Sequence, residues 1–231
     1  MNRLLLPLAA VQGMWVRSTF TLAEPVDSRV AGTVGVGEGA PLRVAVLGES
    51  TAAGSGVSSH DDGFAGALAG LLAGRTGRPV SWTVAAQHGA TARRVRHRLL
   101  PRLTGSYDVA VVLAGANDVL TRRSPADWGA DLAAIVDGLA DRSAWVVVAG
   151  VPPFGLFPAL PRTLRRYLGE RAAALDAVSR DVCAVRPRAA WTTVVSDGLP
   201  SMDFFSADRF HPSATGYHVW ASAVAAAIPS P

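Results

Sequence analysis

The stretch VAVLGESTAAG, from Val44 to Gly54, passes from an apolar strand pattern through Gly48 to a serine, Ser50, set among small residues. Two chemistries use the point where a buried strand gives way to a loop. Backbone amides there can cradle a phosphate, or a serine hydroxyl can attack a carbonyl carbon. A phosphate loop needs G-x-x-x-x-G-K-[ST]. Here Ala53 stands where the second glycine belongs, and the chain has no lysine at all. The dinucleotide fingerprint G-x-G-x-x-G is also missing after this strand.

A serine nucleophile needs a base, because its hydroxyl reacts poorly until a neighbour takes the proton. Of the histidines, His60 lies in SSHDDG, His88 in AQHGAT, His97 on an arginine-rich helix pattern and His218 on the last helix. His211, in SADRFHPSATGYHVW, has a loop carboxylate close by: Asp208, three residues earlier. One irregular turn can set Asp208 against one ring nitrogen while the other faces a serine. A surface turn would account for the same spacing. Acyl transfer also needs donors for a developing oxyanion. Asn117, in VVLAGANDVL, projects after a strand with a side-chain NH₂, and Gly89, in AAQHGATARR, offers an open backbone N–H. Ordinary turns use asparagine and glycine as well.

The four stretches GESTAAG, QHGATA, GAND and DRFHPS together resemble the SGNH hydrolase superfamily, the GDSL-type esterases and lipases, in order and spacing from about Leu42 to Ile228. The resemblance implies Ser50 as nucleophile and first oxyanion donor, Gly89 and Asn117 as further donors, His211 as base and Asp208 as its orienting acid. It implies a flavodoxin-like three-layer α/β/α sandwich around a central five-stranded parallel sheet, with no cofactor and no metal. Two departures stand out. Glu49 replaces the aspartate usual before the serine, and the second block lacks the asparagine usual upstream of its glycine. The G-x-S-x-G elbow of the other large serine-hydrolase class is absent, since Ala52 holds the place of its second glycine.

The elements that would position these residues follow from periodicity. Apolar, β-branched runs lie at Leu42–Leu47, Val80–Ala86, Tyr107–Ala114 and Trp145–Val151, with a weaker run at Ala189–Val195. Helical patterns fall near 60–74, 91–100, 125–141, 161–186 and 213–228. Alternation of this kind implies parallel βαβ units, with ligands at the carboxyl ends of the strands. Asp61 or Asp62 is placed to cap the helix after the nucleophile loop.

Hydrophobic residues make up 49% and charged residues 17% of the 231 positions, which fits one globular domain with a sizeable core. The net charge of +4 comes from an all-arginine basic set, which reads as coding bias and not as a nucleic-acid signal. Arg93, Arg94, Arg96 and Arg98 read as a solvated helix face, because Val95 and Leu99 form an apolar stripe opposite them. A single cysteine, Cys183, excludes a disulfide framework and reads as a small core residue.

Residues 1–41 divide from the hydrolase-like domain at 42–231 as an apolar arm and a glycine-rich linker. The arm, MNRLLLPLAAVQGMWVR, is too short to span a bilayer and makes a poor signal peptide, with Pro7 interrupting its apolar run. It is expected to lie on a membrane surface or pack on the body, which points to a cytoplasmic or membrane-peripheral location and leaves secretion open. In GVPPFGLFPALPR, Phe154, Phe157 and Leu160 are candidates to bind an acyl chain, or else to cover the core. The expected activity is hydrolysis of a small-molecule or lipid ester. A carbohydrate O-deacetylase on the same site, or a catalytically silent binding module, remain alternatives.

Overall fold

The structure is a computed structural model that describes residues 6–19, 21, 23, 24, 29–194 and 202–229. Five parallel strands form the centre: β2 (Leu42–Gly48), β3 (Val80–Ala86), β4 (Tyr107–Leu113), β5 (Ser143–Ala149) and β6 (Ala189–Thr192). They lie in the order β3-β2-β4-β5-β6. The three middle strands are apolar at nearly every position because helices cover both faces of the sheet. Val195, the last residue of the expected fifth run, lies outside the described residues.

The sheet has a sixth member that the sequence pattern does not announce. The strand β1 (Ala31–Val34) comes from the glycine-rich stretch expected to be a linker, and it pairs antiparallel with β3, Ala31 opposite Thr83. Four residues of half-exposed pattern carry too little hydrophobic signal to read as a strand. The described sheet is therefore five parallel strands plus one antiparallel edge.

The helices are α1 (Leu6–Thr19), α2 (Phe64–Thr76), α3 (Ala92–Arg94, continuing as a π-turn over Val95–Leu99), α4 (Ala116–Leu120), α5 (Pro125–Ala140), α6 (Arg162–Ala184) and α7 (Ala214–Ala226). Helix α5 starts where Ser124 accepts the Asp127 amide and Pro125 fills the first turn, and α2 stops at Gly77, which takes the left-handed conformation. Gly63 precedes α2 without a side-chain cap, so neither Asp61 nor Asp62 caps it. Cys183 is buried in α6, and burial pushes its thiol up to about 11.

The arm helix α1 packs against α6. Ala9 is buried, and Gln12 Oε1 accepts the Leu164 amide at 2.9 Å. Leu8, Val11, Met14 and Trp15 stay exposed on its outer side. Among the described residues no helix is long and apolar enough to cross a membrane.

Candidate active site

Ser50 sits just past the carboxyl end of β2. Gly48 is needed there, because a Cβ would lie 2.0 Å from the Leu113 carbonyl oxygen on β4. The chain then coils tightly: the Ala53 amide donates to the Glu49 carbonyl at 2.9 Å and the Ser55 amide to the Ser50 carbonyl at 3.0 Å. Across the site, the loop before α7 is pinned by a bridge between Phe205 and Pro212 and by Ser213, which caps α7 by accepting the Gly216 amide. The buried Tyr217 hydroxyl, one turn into α7, donates to the Ser55 carbonyl at 2.6 Å. This bond ties the serine loop to the histidine loop.

Three expected residues meet in line. His211 Nε2 lies 3.0 Å from Ser50 Oγ, and His211 Nδ1 lies 2.7 Å from Asp208 Oδ2. A carboxylate beside Nδ1 favours the tautomer with its proton there, leaving Nε2 bare to accept from the serine hydroxyl. Burial works to raise the pKa of Asp208, but hydrogen bonds from His211 and from the amides of Ala23, Phe210 and His211 outweigh it. They hold the carboxyl well below the usual carboxylate range. The Ala23 amide donates to Asp208 Oδ2 at 2.9 Å from the segment after α1. No local sequence signal marks that contact.

The donor groups differ in readiness. The amides of Ser50 and Gly89 have no acceptor among the described residues, and Gly89 has a φ of +73° with open space where a side chain would stand. The Asn117 NH₂, by contrast, has two protein acceptors: Glu49 Oε2 at 2.6 Å and the Ala90 carbonyl at 3.2 Å. Glu49 also accepts the amides of Ala116 at 2.9 Å and Asn117 at 3.1 Å. Burial raises its pKa to about 7, against the pull of those same bonds. The longer arm of Glu49 gathers the start of α4 around one carboxylate. The neighbouring Asp118 is fully buried, accepts the Ala92 amide at 2.8 Å and is pushed by burial up to about 6. It links the Asn117 loop to the one that carries Gly89.

A small apolar cavity of about 30 Å³ adjoins Ser50 and His211, lined in part by Phe157, Phe205, Phe210 and Trp220. Of the three residues expected to bind an acyl chain, Phe157 lines it. Phe154 and Leu160 are buried and do not, and Phe154 instead packs on Phe157 and Phe210 at centroid distances of 4.9 and 5.9 Å. The loop turns its aromatics inward because its prolines and the Phe154–Leu156 turn fold it over the core. Among the other histidines, His88 comes within 6.0 Å of the His211 ring centroid, while His60 is buried against Trp82.

A fold of this kind, with a serine, histidine and aspartate in line at the strand ends, defines a class of hydrolases, and residues 46–219 match the GDSL-like lipase/acylhydrolase family. The chain belongs to that family. It is 31% identical over 185 residues to the GDSL-like esterase Rv1075c of Mycobacterium tuberculosis, across 76% of this chain and 58% of that protein. It therefore spans little more than half of that relative's length. Among solved structures it resembles the lipase Lip_vut3 from a goat rumen metagenome, with a TM-score of 0.62 and 17% identity over 80% of this chain and 97% of that one. It also resembles Axe2, an acetyl-xylooligosaccharide esterase of Geobacillus, with a TM-score of 0.59 and 15% identity over 86% and 98% of the two chains. These two likenesses bear on the fold alone.

Proposed function

We propose that this protein hydrolyses carboxylic esters of short acyl groups, acetyl in size, through an acyl-serine on Ser50. The observation that carries the reading is the line Asp208–His211–Ser50 ending beside a cavity of about 30 Å³. One water-sized group needs roughly 10–15 Å³ of such space. The cavity thus has room for a short acyl group, acetyl in size.

In the reaction His211 Nε2 takes the Ser50 proton as Oγ attacks the ester carbon. The negative charge gathers on the former carbonyl oxygen. The amides of Ser50 and Gly89 receive it, and Asn117 joins them by exchanging its 3.2 Å bond to the Ala90 carbonyl for one to the oxyanion. That exchange is favourable because hydrogen bonds to charged acceptors are the stronger ones. The tetrahedral intermediate collapses, and His211 returns the proton to the departing alkoxide. Water, deprotonated in turn by His211, then attacks the acyl-serine, and His211 returns that proton to Ser50 Oγ as the acyl–Oγ bond breaks and the carboxylic acid leaves. Asp208 holds the imidazole and balances its charge throughout.

The small cavity also favours a carbohydrate O-deacetylase, in which the sugar is the alcohol. The test is direct. A sulfonyl fluoride should label Ser50 in the parent, and Ser50→Ala should fold normally yet lose turnover of 4-nitrophenyl acetate. A folded Ser50→Ala with parental turnover sinks the proposal.

A further inference from the structure

A second cavity, of about 860 Å³, opens between α6 from Arg162 to Arg180, the loop after β5 and the end of β6. Pro153 and Val194 line both this groove and the small cavity at Ser50, so the two share a wall. Along the groove α6 presents glycine and alanine at Gly169, Ala172 and Ala173, which leaves room for a ligand of some length. The groove also carries arginines.

Their charges do not all cancel. Arg180 bonds Asp176 Oδ2 at 3.0 Å and stacks on the Trp191 ring, 4.2 Å from its centroid. Arg166 pairs with Glu170 at 3.1 Å. Arg162 and Arg165 have no carboxylate partner among the described residues. Both stand in the first turn of α6, where no acidic residue accompanies them, although Gln12 Oε1 already takes the Leu164 amide there. That is the positive end of the helix dipole, where a cation is electrostatically disfavoured and an anion is welcome. Side chains there also tilt back toward the helix start. Two guanidinium groups and a helix terminus of the same sign thus act together in a groove that shares Pro153 and Val194 with the cavity at Ser50.

We propose that this groove holds the alcohol part of the ester, and that this part carries an anionic group, a carboxylate or a phosphate. The inference rests on the esterase reading of Ser50. It divides the substrate between two spaces: a short acyl group in the small apolar cavity, and an extended, negatively charged alcohol along the arginines. Guanidinium is suited to both anions because its planar fork matches their paired oxygens.

The experiment compares acetylated xylotriose, acetylated trigalacturonate and acetylated maltotriose 6-phosphate as neutral, carboxylate and phosphate esters. The parent is expected to favour at least one anionic ester over the neutral one in kcat/KM, with the preference shrinking as salt is added. In the double variant Arg162→Gln with Arg165→Gln that preference should fall about tenfold or more, mainly through KM, as expected for lost charge-assisted bonds. A variant with the same charge change elsewhere, Arg98→Gln with Arg102→Gln, should keep the preference. No anionic preference in the parent, or an equal one in the double variant, overturns the proposal. Calorimetry with unacetylated trigalacturonate and maltotriose 6-phosphate separates this outcome from a failure at Ser50. Binding to the parent and to Ser50→Ala, but not to the double arginine variant, supports the groove even if no ester is turned over. Absent binding, or equal binding to the double variant, overturns it, and which ligand binds tells carboxylate from phosphate.

Discussion

Glu49 Oε2 lies 2.6 Å from Asn117 Nδ2, and the same carboxylate accepts the amides of Ala116 and Asn117. Burial sets its pKa near 7, above the ordinary 4.5. Between those values the folded protein binds more protons than the unfolded chain. The stability this group contributes is therefore complete below about pH 4.5 and lost as pH rises through about 7. Thermal melts from pH 4 to 8 should show this fall in the parent, and it should be missing from Glu49→Gln. Parallel curves for the two proteins would remove the charge from Glu49's role.

Asn117→Ala should impair chemistry more than binding. An oxyanion exists only in the tetrahedral species, so its lost donor lowers kcat and leaves KM nearly unchanged. The expected loss in kcat is about 10²–10³. Lower melting with an intact kcat would leave Asn117 as a structural partner of Glu49 alone.

Asp208→Asn keeps the shape of the side chain and removes its charge. The imidazole then loses the acceptor that fixes its tautomer, and kcat should drop by about 10⁴, the scale seen when the acid of a serine triad is so changed. Saturation kinetics on 4-nitrophenyl acetate measure it. A loss below tenfold would demote Asp208.

Ala23→Pro deletes the amide that donates to Asp208 from the N-terminal segment. The Asp208 carboxyl is held below its ordinary 3.8, so the stability it contributes is present above that value and lost as pH falls through the folded pKa. Ala23→Pro should lower the melting temperature at pH 7, and the gap to the parent should begin to narrow only as pH falls well below the ordinary carboxylate range. A gap independent of pH would point to backbone strain instead.

Phe157 borders the cavity at Ser50. Phe157→Ala should admit longer acyl groups, raising the ratio of butyrate to acetate kcat/KM by about tenfold. Since Phe157 also packs on Phe205 and Phe210, truncation costs roughly 3–5 kcal/mol. Phe157→Leu serves as the milder variant and should shift the ratio in the same direction. An unchanged ratio in both would place the acyl group elsewhere.

The parts legible in the sequence were those whose signal is local. β2 and β4 read as strands because helices cover both faces and nearly every residue past their first two positions is apolar. Ser50, Asp208 and His211 could be singled out because acid and base share one turn and the serine follows a strand. β1 gave no such signal, and α4 is so short that ANDVL reads as a turn. Phe154 and Phe157 have the same pattern whether they face substrate or core, and only packing separates them. The reach of Glu49 to Asn117, 68 residues on, depends on how β2 and β4 lie side by side, which no window of sequence contains.

The antiparallel pairing of β1 has a consequence for how the protein keeps its own company. β3 has β2 on one side and β1 on the other along Val80–Thr83. Without β1, that strand would offer solvent a row of unpaired amides and carbonyls on VSWT, a β-prone template for the edge of another molecule. A chain begun at Leu42 would leave that side of β3 open and would also lose the Ala23 amide from Asp208. The short strand from the glycine-rich stretch thus covers the side of β3 that β2 leaves open.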